Sequence, residues 1–275
     1  MTRPTAAAER RADRGRDARV PWRVCRVWDH LTDGFETCRA DREMARQMET
    51  VIPGVREMAR ANRAFTRRVV TTLVAAGVEQ YLDLGCGTLS ANSVHETLIE
   101  YGPAARSVHV DIDVVAVDRA IDRITDNGRA GVAAAIRADL CTPATVFKHP
   151  TVRRLLDFDK PLAVIAAGVL AHLDDTAAAG LLATVREQSV DGSFLALTHP
   201  TADVHAEVNA LTTIGAWPRS RTHVEQLLAG WQLPEPGLVW ASQWRPGVAP
   251  SDPSPAGRGA RYLLAALAAT AGGER

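Results

Sequence analysis

The fold is decided by one stretch of the sequence, Tyr81-Leu82-Asp83-Leu84-Gly85-Cys86-Gly87. Its apolar residues over 81–84 predict a short buried strand that ends at Gly85. Gly85 and Gly87 predict a tight turn whose backbone a ligand can approach closely. A helix over 94–101 is predicted to follow this turn. A glycine pair alone is a weak signal, but a strand, a glycine turn and a helix in this order are typical of a nucleotide-binding α/β unit.

Short apolar runs alternate with amphipathic stretches through the chain after this turn. Further strands are predicted over 107–110, 133–138, 162–167 and 194–198, and further helices over 114–126 and 176–187. This alternation predicts an α/β fold with a mostly parallel sheet that is covered by helices on both faces. The apolar residues 261–268 fit either a last strand or a short helix.

The chain before the first strand has a different pattern. Residues 27–60 are predicted to be helical with an interruption at 32–34, Asp41 lies near a helix start, and a second helix is predicted over 62–76. The domain prediction is a frayed tail over 1–20, a helical lid or extension over 21–77, and a Rossmann-like domain over 78–275. The extension and the domain are expected to form a single structural unit.

The composition excludes several classes of protein. The chain has 275 residues, of which 46% are hydrophobic, and its 32 basic side chains balance 32 acidic ones. Such a chain can bury a core, and its balanced charge argues against binding nucleic acid by bulk electrostatics. No apolar run reaches the roughly 20 residues of a membrane span. Because the four cysteines have no CxxC spacing, reduced thiols and a cytoplasmic location are expected.

Acidic residues follow three of the predicted strands. Asp83 lies near the end of the first strand, Asp111 ends the second, and Asp139 ends the third. In an open parallel sheet these ends meet at one edge, where Asp111 suits the two ribose hydroxyls and Asp139 suits an exocyclic amine of adenine. Asp113 is a second acid at the same strand end, either as the cap of the next helix or as a further ligand contact. The three strand ends therefore predict a site for a nucleoside.

The residues after Gly87 favour one kind of nucleoside ligand. They read Thr88-Leu89-Ser90, so the third glycine of the dinucleotide pattern G-x-G-x-x-G is absent. S-adenosylmethionine (SAM) carries no phosphate and does not need a helix N-terminus to bind an anion. SAM is therefore favoured over NAD, and an NAD-binding oxidoreductase is the weakest alternative.

The chain also resembles a bacterial family of SAM-dependent methyltransferases that was long catalogued only as a domain of unknown function. The resemblance follows nearly the whole chain in order. Its matching segments are Arg26-Val27-Trp28-Asp29-His30-Leu31, Ala40-Asp41-Arg42-Glu43, Ala61-Asn62-Arg63-Ala64-Phe65, Val94-His95-Glu96, Val110-Asp111-Ile112-Asp113, His199-Pro200-Thr201-Ala202-Asp203, Pro236-Gly237-Leu238 and Gln243-Trp244-Arg245-Pro246. Two segments depart from the family pattern: residues 33–38 stand where the family reads GGKDNF, and residues 88–93 stand where it reads LPTxGN.

The resemblance implies a class I methyltransferase fold, with a Rossmann-like, seven-stranded and mostly parallel sheet. It implies that SAM is the cofactor. The implied contacts are Asp83, Gly85 and Gly87 with the methionine portion, Asp111 with the ribose, and Asp139 and Leu140 with adenine. Asp113 is included among the expected cofactor-binding residues. Arg63 is the expected partner of the SAM carboxylate through a charge-assisted pair.

Two histidines at predicted strand ends are the candidate general bases. His172 follows the apolar strand over 162–167, and His199 ends the next strand. A neutral imidazole suits this role at physiological pH, and packing beside Asp174 and Asp175 is the alternative for His172. His199, Asp203 and His205 lie in a loop without a scaffold for a metal, so no metal site is predicted.

The sequence supports two functions of different classes. The first is a SAM-dependent methyltransferase acting on a small molecule, with secondary metabolism as the expected setting. The second is a non-methylating relative in natural-product biosynthesis, either a partner subunit of another enzyme or a ring-closing enzyme. The two segments that depart from the family pattern motivate this second function. A homodimer or a heteromeric biosynthetic complex is the expected assembly, without nucleic acid or membrane.

Overall fold

The structure, a computed structural model, describes residues 22–245 and 257–270. The frayed tail predicted over 1–20 lies outside the described residues. Within the described ranges, seven strands form one sheet in the order β3-β2-β1-β4-β5-β7-β6. Their bounds are β1 Gln80–Leu84, β2 Arg106–Asp111, β3 Ala133–Arg137, β4 Ala163–Ala167, β5 Phe194–Pro200, β6 Val239–Trp240 and β7 Leu263–Ala269.

The strand order identifies the type of α/β sheet. Strands β1 to β5 run parallel, and β7 lies antiparallel between β5 and β6. A dinucleotide-binding sheet has the order 3-2-1-4-5-6 without such an inserted strand. The observed sheet is the class I Rossmann-like arrangement that the family resemblance implies.

The helices have the following bounds: α1 Val24–Leu31, α2 Arg39–Val51, α3 Val55–Ala75, α4 Val94–Tyr101, α5 Val114–Asp126, α6 Pro143–Phe147, α7 Pro150–Leu155, α8 Asp175–Glu187 and α9 Arg221–Leu227. Four 3₁₀ segments cover Val169–His172, Ala206–Ile214, Ala241–Gln243 and Arg258–Arg261 within the described residues. The ranges predicted for α4 and α5 are confirmed.

The sheet is buried on both faces because its strand residues alternate between two cores. Tyr81 and Ile165 pack with α1 to α3 in one core. Leu82 and Val164 pack against α6 to α8 in the other. This period of two is the pleat of the strands, and burial on both faces explains why β4 is apolar throughout.

The segment over 261–268, for which the sequence left strand and helix open, contains strand β7. Its residues pair with β5 from Phe194↔Ala269 to Pro200↔Leu263. All seven residues but the last are buried. Alternate residues of β7 pack in the two cores on either side of the sheet, so both of its faces are buried, and this explains an apolar run without polar alternation.

The N-terminal helices differ from the prediction at one point. The predicted interruption near 32–34 separates α1 from α2, but a second break at Ile52-Pro53-Gly54 separates α2 from α3. Gly54 has φ +100°, and a Cβ there would lie 2.8 Å from the backbone nitrogen of Gly259. The break is therefore set by a close approach to a segment about 200 residues away, which the local pattern does not reveal. Helix α3 consequently begins at Val55 rather than at residue 62.

Candidate functional site

A cavity of about 450 Å³ lies at the carboxyl ends of the central strands. Strands β1 and β4 are the point where the strand order reverses, and ligands of open α/β sheets bind at this crevice. Side chains of α1 and α3 border the cavity opposite the sheet, among them Trp28 and Arg63. We call the part formed by Asp83, Gly87, Asp111 and Asp139 the acidic half, and the part formed by Trp28, Met58, Asn62, His172, Leu211 and Leu263 the apolar half.

The glycine turn between β1 and α4 forms the floor of the acidic half. The N–H groups of Gly85 and Cys86 both donate to the carbonyl oxygen of Val110, at 2.8 and 3.1 Å. Gly85 has φ +72°, and a Cβ there would lie 2.4 Å from the side chain of Val169. Gly87 has φ +64°, so both residues of the turn adopt a conformation that favours glycine, and at Gly85 there is also no room for a side chain.

Asp111 is fixed by the turn that it faces. Its Oδ2 accepts from the N–H of Gly87 at 3.0 Å, and its Oδ1 accepts from the N–H of Asp113 at 2.9 Å. Burial raises the pKa of Asp111, and these two N–H groups act in the opposite direction. A carboxylate has about four acceptor sites, so each oxygen keeps one for a ligand in the cavity. This geometry suits a pair of neighbouring hydroxyls.

Asp83 is held by a chain of buried polar side chains. The register of β1 and β2 places His109 beside it, and the Nδ1 of His109 lies 3.0 Å from the Oδ2 of Asp83. The Nε2 of His109 lies 3.0 Å from the Oγ of Ser107. An ionised Asp83 only accepts, so His109 donates from Nδ1 and accepts from the Ser107 hydroxyl. His109 thus fixes the rotamer of Asp83 at the cavity wall.

Asp113 lies at the cavity, but its oxygens are engaged elsewhere. Its Oδ1 accepts from the N–H of Val115 at 2.8 Å and so caps α5. Both oxygens also lie 3.0 Å from the Nη1 of Arg23, next to the start of α1. These contacts favour the cap that the sequence left open over a direct cofactor contact, and they tether α1 to the sheet edge.

Asp139 and Leu140 border the far end of the acidic half, after β3. Asp139 is exposed, and its Oδ1 accepts from the N–H of Cys141 at 2.9 Å. Leu140 is buried beside it and lines the cavity. Ile112 is 58% exposed although it is apolar, and it faces the same space. An apolar surface next to a carboxylate suits a flat heteroaromatic ring with an amino group.

Arg63 brings a positive charge from α3 to the cavity. Its Nη2 donates to the Oγ of Ser90 at 3.2 Å, and no carboxylate of the described residues lies within ion-pair distance of it. Burial lowers the pKa of Arg63, while the negative charges of Asp83 and Asp29 act in the opposite direction. Its remaining N–H groups are therefore available to an anionic group of a ligand.

His172 ends the 3₁₀ segment after β4 and lines the cavity. Its Nδ1 lies 2.7 Å from the carbonyl oxygen of Gly215, and burial lowers its pKa. A carbonyl oxygen only accepts, so Nδ1 carries the proton and Nε2 keeps a lone pair. The imidazole is neutral at physiological pH and able to take up a proton.

His199 is placed differently from the prediction. It is fully buried and is not among the residues that line the cavity. Its Nδ1 lies 2.8 Å from the carbonyl oxygen of Pro200, and its Nε2 lies 2.9 Å from the Nη1 of Arg219. Since both ring nitrogens are engaged inside the protein, we correct the prediction: His199 is not positioned to accept a proton from a molecule in the cavity.

Asn62 is a cavity residue that sequence reasoning did not single out. Its Oδ1 accepts from the Oγ1 of Thr198 at 2.7 Å, and its Nδ2 lies 3.4 Å from the carbonyl oxygen of Ala167. These bonds fix the amide between the ends of β4 and β5, where it faces the apolar half. The family-like segment Ala61-Asn62-Arg63-Ala64-Phe65 carried a signal for Asn62, but the charge of Arg63 is the stronger indication of a ligand contact in that segment.

Asp29 joins the two segments that depart from the family pattern. It is fully buried, its Oδ2 accepts from the N–H of Glu36 at 2.9 Å, and its Oδ1 accepts from the Oγ1 of Thr88 at 3.1 Å. Gly34 packs so closely that a Cβ there would lie 2.3 Å from this carboxyl group. The departures over 33–38 and 88–93 are therefore parts of one contact, which connects α1 to the glycine turn.

Other classes of site have little support in the described residues. All four cysteines lie in the described ranges and have free thiols. No cluster of three or more His, Cys, Asp or Glu side chains suited to a metal ion occurs within residues 22–245 and 257–270. None of the helices in these same ranges combines the length and the apolar composition of a membrane span.

Comparison with known proteins agrees with this geometry. A family model described as S-adenosyl methyltransferase matches residues 9–270. A solved structure from Thermobifida fusca, of a protein provisionally named a methyltransferase, is 30% identical with a TM-score of 0.82; the alignment covers 91% of this chain and 95% of that one. A DUF574 family protein from Streptomyces avermitilis is 26% identical with a TM-score of 0.80, over 91% of this chain and 98% of its own.

More distant similarity extends to the fold alone. The pyocyanin biosynthetic protein PhzM is 16% identical, with a TM-score of 0.52 over 89% of this chain and 62% of its own. No curated protein sequence matches the chain.

Proposed function

The chain belongs to the S-adenosyl methyltransferase family, and from this premise we propose that it methylates an uncharged, largely apolar small molecule that carries a hydroxyl group. The enzyme is a SAM-dependent methyltransferase. One observation carries the proposal for its acceptor: the acidic half of the cavity continues directly into the apolar half across the ends of β1 and β4.

The residues of the acidic half fit the cofactor. SAM carries positive charge on its sulfonium and ammonium groups, and Asp83 supplies a carboxylate near them. We assign the ribose hydroxyls to Asp111, the adenine ring to Asp139, Leu140 and Ile112, and the SAM carboxylate to Arg63. Asp113 holds Arg23 and α1 in this assignment rather than the cofactor. A dinucleotide fits less well, because its pyrophosphate would meet these carboxylates.

The apolar half is assigned to the methyl acceptor. Trp28, Met58, Leu211 and Leu263 offer apolar contacts, and among the described lining residues of this half no carboxylate is present to bind a charged amine. Asn62 offers an amide that Thr198 already orients, so it suits a hydroxyl or carbonyl group of the acceptor. These groups favour a phenol or a similar hydroxyl compound over an amine.

The chemistry divides between the cofactor and the chain. When bound, SAM supplies a methyl group on a positively charged sulfur. His172 accepts the proton of the acceptor hydroxyl at Nε2, because Gly215 holds the other ring nitrogen as a donor. The apolar half aligns the acceptor and excludes water. Such positioning contributes roughly 7–11 kcal/mol to barrier reduction in favourable cases.

The biological setting is part of the proposal. An apolar acceptor half suits a secondary metabolite, and free thiols at all four cysteines suit a cytoplasmic enzyme. We also propose that residues 21–77 serve as a lid on the SAM-binding unit over 78–275, because Trp28 and Arg63 border the cavity from this segment. The non-methylating alternative is not favoured, because the chain belongs to the S-adenosyl methyltransferase family and the residues of the acidic half fit SAM.

Calorimetry with SAM and with S-adenosylhomocysteine tests the cofactor assignment. We expect Asp111→Asn to weaken SAM binding by about 10- to 100-fold, because charge-assisted hydrogen bonds contribute roughly 1.5–3 kcal/mol. Asp118→Asn, on the exposed side of α5, is the matched control and should bind as the wild type does. Unchanged affinity in Asp111→Asn would show that the ribose lies elsewhere.

Methyl transfer from radiolabelled SAM tests the acceptor class. A panel of naphthols and flavonoid phenols should include methylated compounds, whereas matched aryl amines should stay unlabelled. Transfer to amines without transfer to any hydroxyl compound contradicts the proposed acceptor. Loss of transfer in His172→Gln, with SAM affinity retained, is expected if His172 is the base.

A further inference from the structure

A buried guanidinium lies behind the 3₁₀ segment that carries His172. Arg219 is 6% exposed and does not line the cavity. Its Nη1 donates to the carbonyl oxygen of Leu170 at 2.8 Å, and its Nη2 donates to that of Leu173 at 2.7 Å. These two residues flank His172 in the chain. Arg219 therefore binds the backbone on both sides of the proposed base.

The segment 215–219 contacts the same turn at two further points. The N–H of Trp217 donates to the carbonyl oxygen of Ala171 at 2.8 Å, and the carbonyl of Gly215 accepts from His172 at 2.7 Å. Four hydrogen bonds thus join two short pieces of chain about 43 residues apart. The bond that selects the tautomer of His172 exists only while these pieces keep their relative position.

The Arg219 side chain makes two further contacts inside the protein. Its Nε donates to the Oδ1 of Asp175 at 2.8 Å, and its Nη1 lies 2.9 Å from the Nε2 of His199. The backbone N–H of Arg219 donates to the carbonyl oxygen of Pro200 at 3.1 Å. The guanidinium is therefore fixed against β5 and the start of α8, and its planar fork matches two carbonyls that a lysine could not bind together.

We propose that Arg219 is a positioning residue for the proton acceptor His172. By holding Leu170 and Leu173, Arg219 keeps the ring in place for Gly215, which binds Nδ1–H and leaves Nε2 to the cavity. This inference rests on the proposed function, because it assumes that His172 accepts the proton of the acceptor. His199 acquires a role as well: it accepts from Arg219 and keeps the buried guanidinium satisfied.

Charged and titratable groups near His172 also influence its pKa, and their influence must be separated from that of the position of the ring. Asp174 and Asp175 follow His172 in the chain, Arg219 belongs to segment 215–219, and His199 lies on β5. His223 lies on α9, and Asp139 and Cys141 belong to the loop after β3. Because a substitution of Arg219 changes both charge and geometry, the test needs a variant that keeps the charge.

Nitrogen NMR of the His172 ring in the SAM-bound enzyme tests the inference without an acceptor. In the wild type we expect the Nδ1–H tautomer and a pKa below the ordinary value. In Arg219→Gln we expect a mixture of tautomers, because the ring loses its bond to Gly215. We also expect the pKa of His172 to rise toward the ordinary value, because burial is the larger cause of its lowering and the freed ring meets water; loss of the Gly215 bond acts in the opposite direction and is the smaller effect. Arg219→Lys keeps the charge without the fork and should change in the same direction.

The matched control is Arg221→Gln, two residues away on the surface, where the side chain donates to Leu238. Its His172 spectrum should be that of the wild type. Arg219→Lys decides the question if Arg219→Gln does not fold. An unchanged tautomer and pKa in a folded Arg219 variant overturns the inference.

Calorimetry with SAM distinguishes a failure of the proposed function from a failure of the positioning role of Arg219. Failure of the wild type to bind SAM refutes the cofactor assignment of the proposed function. Normal SAM binding with an unchanged His172 ring in the Arg219 variants refutes the positioning role alone.

Discussion

The acidic and apolar halves of the cavity are built in different ways. In the acidic half, Asp111 binds the N–H groups of Gly87 and Asp113, which lie 24 and 2 residues away along consecutive elements. In the apolar half, Asn62 binds Thr198, 136 residues away. The first half follows from one repeated pattern of strand, turn and helix, whereas the second is assembled from segments that meet only in the folded chain. A substitution in the acidic half is therefore expected to change SAM binding, whereas one in the apolar half is expected to change methyl transfer.

The largest effect is expected where the acidic half has no spare room. Gly85→Ala combines a positive φ of +72° with a Cβ 2.4 Å from Val169. The strain costs about 1–3 kcal/mol and overpacking costs a further 1–3 kcal/mol or so, so the free energy of unfolding should fall by several kcal/mol. Urea unfolding and SAM calorimetry measure the two consequences.

Gly77→Ala is the control for this variant. It has a similar φ of +83°, and nothing lies within 4 Å of its Cβ position. The difference between the two variants isolates the collision with Val169 from the backbone strain. Equal losses would show that the turn shifts freely, which contradicts a rigid acidic half.

Acid should destabilise the protein through two buried neutral histidines that lie outside the cavity lining. Burial lowers the pKa of His199, near the apolar half, to about 4 and that of His95, on α4, to about 3. Their unfolded pKa is near 6.5, so below that pH the unfolded chain binds more protons and stability falls as the pH drops toward the folded pKa values. At pH 5 each group contributes a loss of roughly 2 kcal/mol, at 1.36 kcal/mol for each pKa unit.

Urea unfolding between pH 8 and pH 5 checks this expectation. His199→Gln keeps an acceptor for Arg219 and carries no titratable proton, so its free energy of unfolding should depend less steeply on pH than that of the wild type. A slope equal to the wild-type slope would mean that His199 is already accessible to protons.

The same contrast explains what could be predicted from the sequence. The strand ends at Asp83, Asp111 and Asp139 and the bounds of α5 follow from periodicity and capping, which act over a few residues. The break before α3 and the place of His199 depend on Gly259 and Arg219, which are distant in the chain. Local patterns therefore predict where the strand ends of the acidic half lie, whereas the polar residues of the apolar half depend on contacts between segments that are distant in the chain.

An intermediate effect is expected where α1 connects to the glycine turn. Asp29→Asn keeps an oxygen for Thr88 but turns an amide N–H₂ toward the N–H of Glu36. A buried N–H without an acceptor costs about 1–3 kcal/mol, so stability should fall by this amount and SAM affinity should fall with it. Asp33→Asn is the control, because its ion pairs with Arg56 and Arg60 lie at the surface and contribute about 0–1 kcal/mol. Unaltered SAM binding in Asp29→Asn would separate α1 from the cofactor.

The variant with the smallest expected effect on stability lies in the apolar half, and it should best distinguish methyl transfer from SAM binding. Thr198→Val keeps the shape of the side chain and removes the hydroxyl that donates to Asn62 at 2.7 Å. The hydrogen bond contributes roughly 1 kcal/mol, and the freed amide of Asn62 can rotate in the cavity. Because Thr198 lies on β5, away from Asp111, SAM affinity should stay at the wild-type value while methyl transfer to the best hydroxyl acceptor slows by about 5- to 10-fold. Thr125→Val, exposed on α5, should change neither quantity. A parallel loss of SAM affinity in Thr198→Val would mean that Asn62 serves the cofactor rather than the acceptor, and the boundary between the two halves would then lie on the β5 side of Asn62.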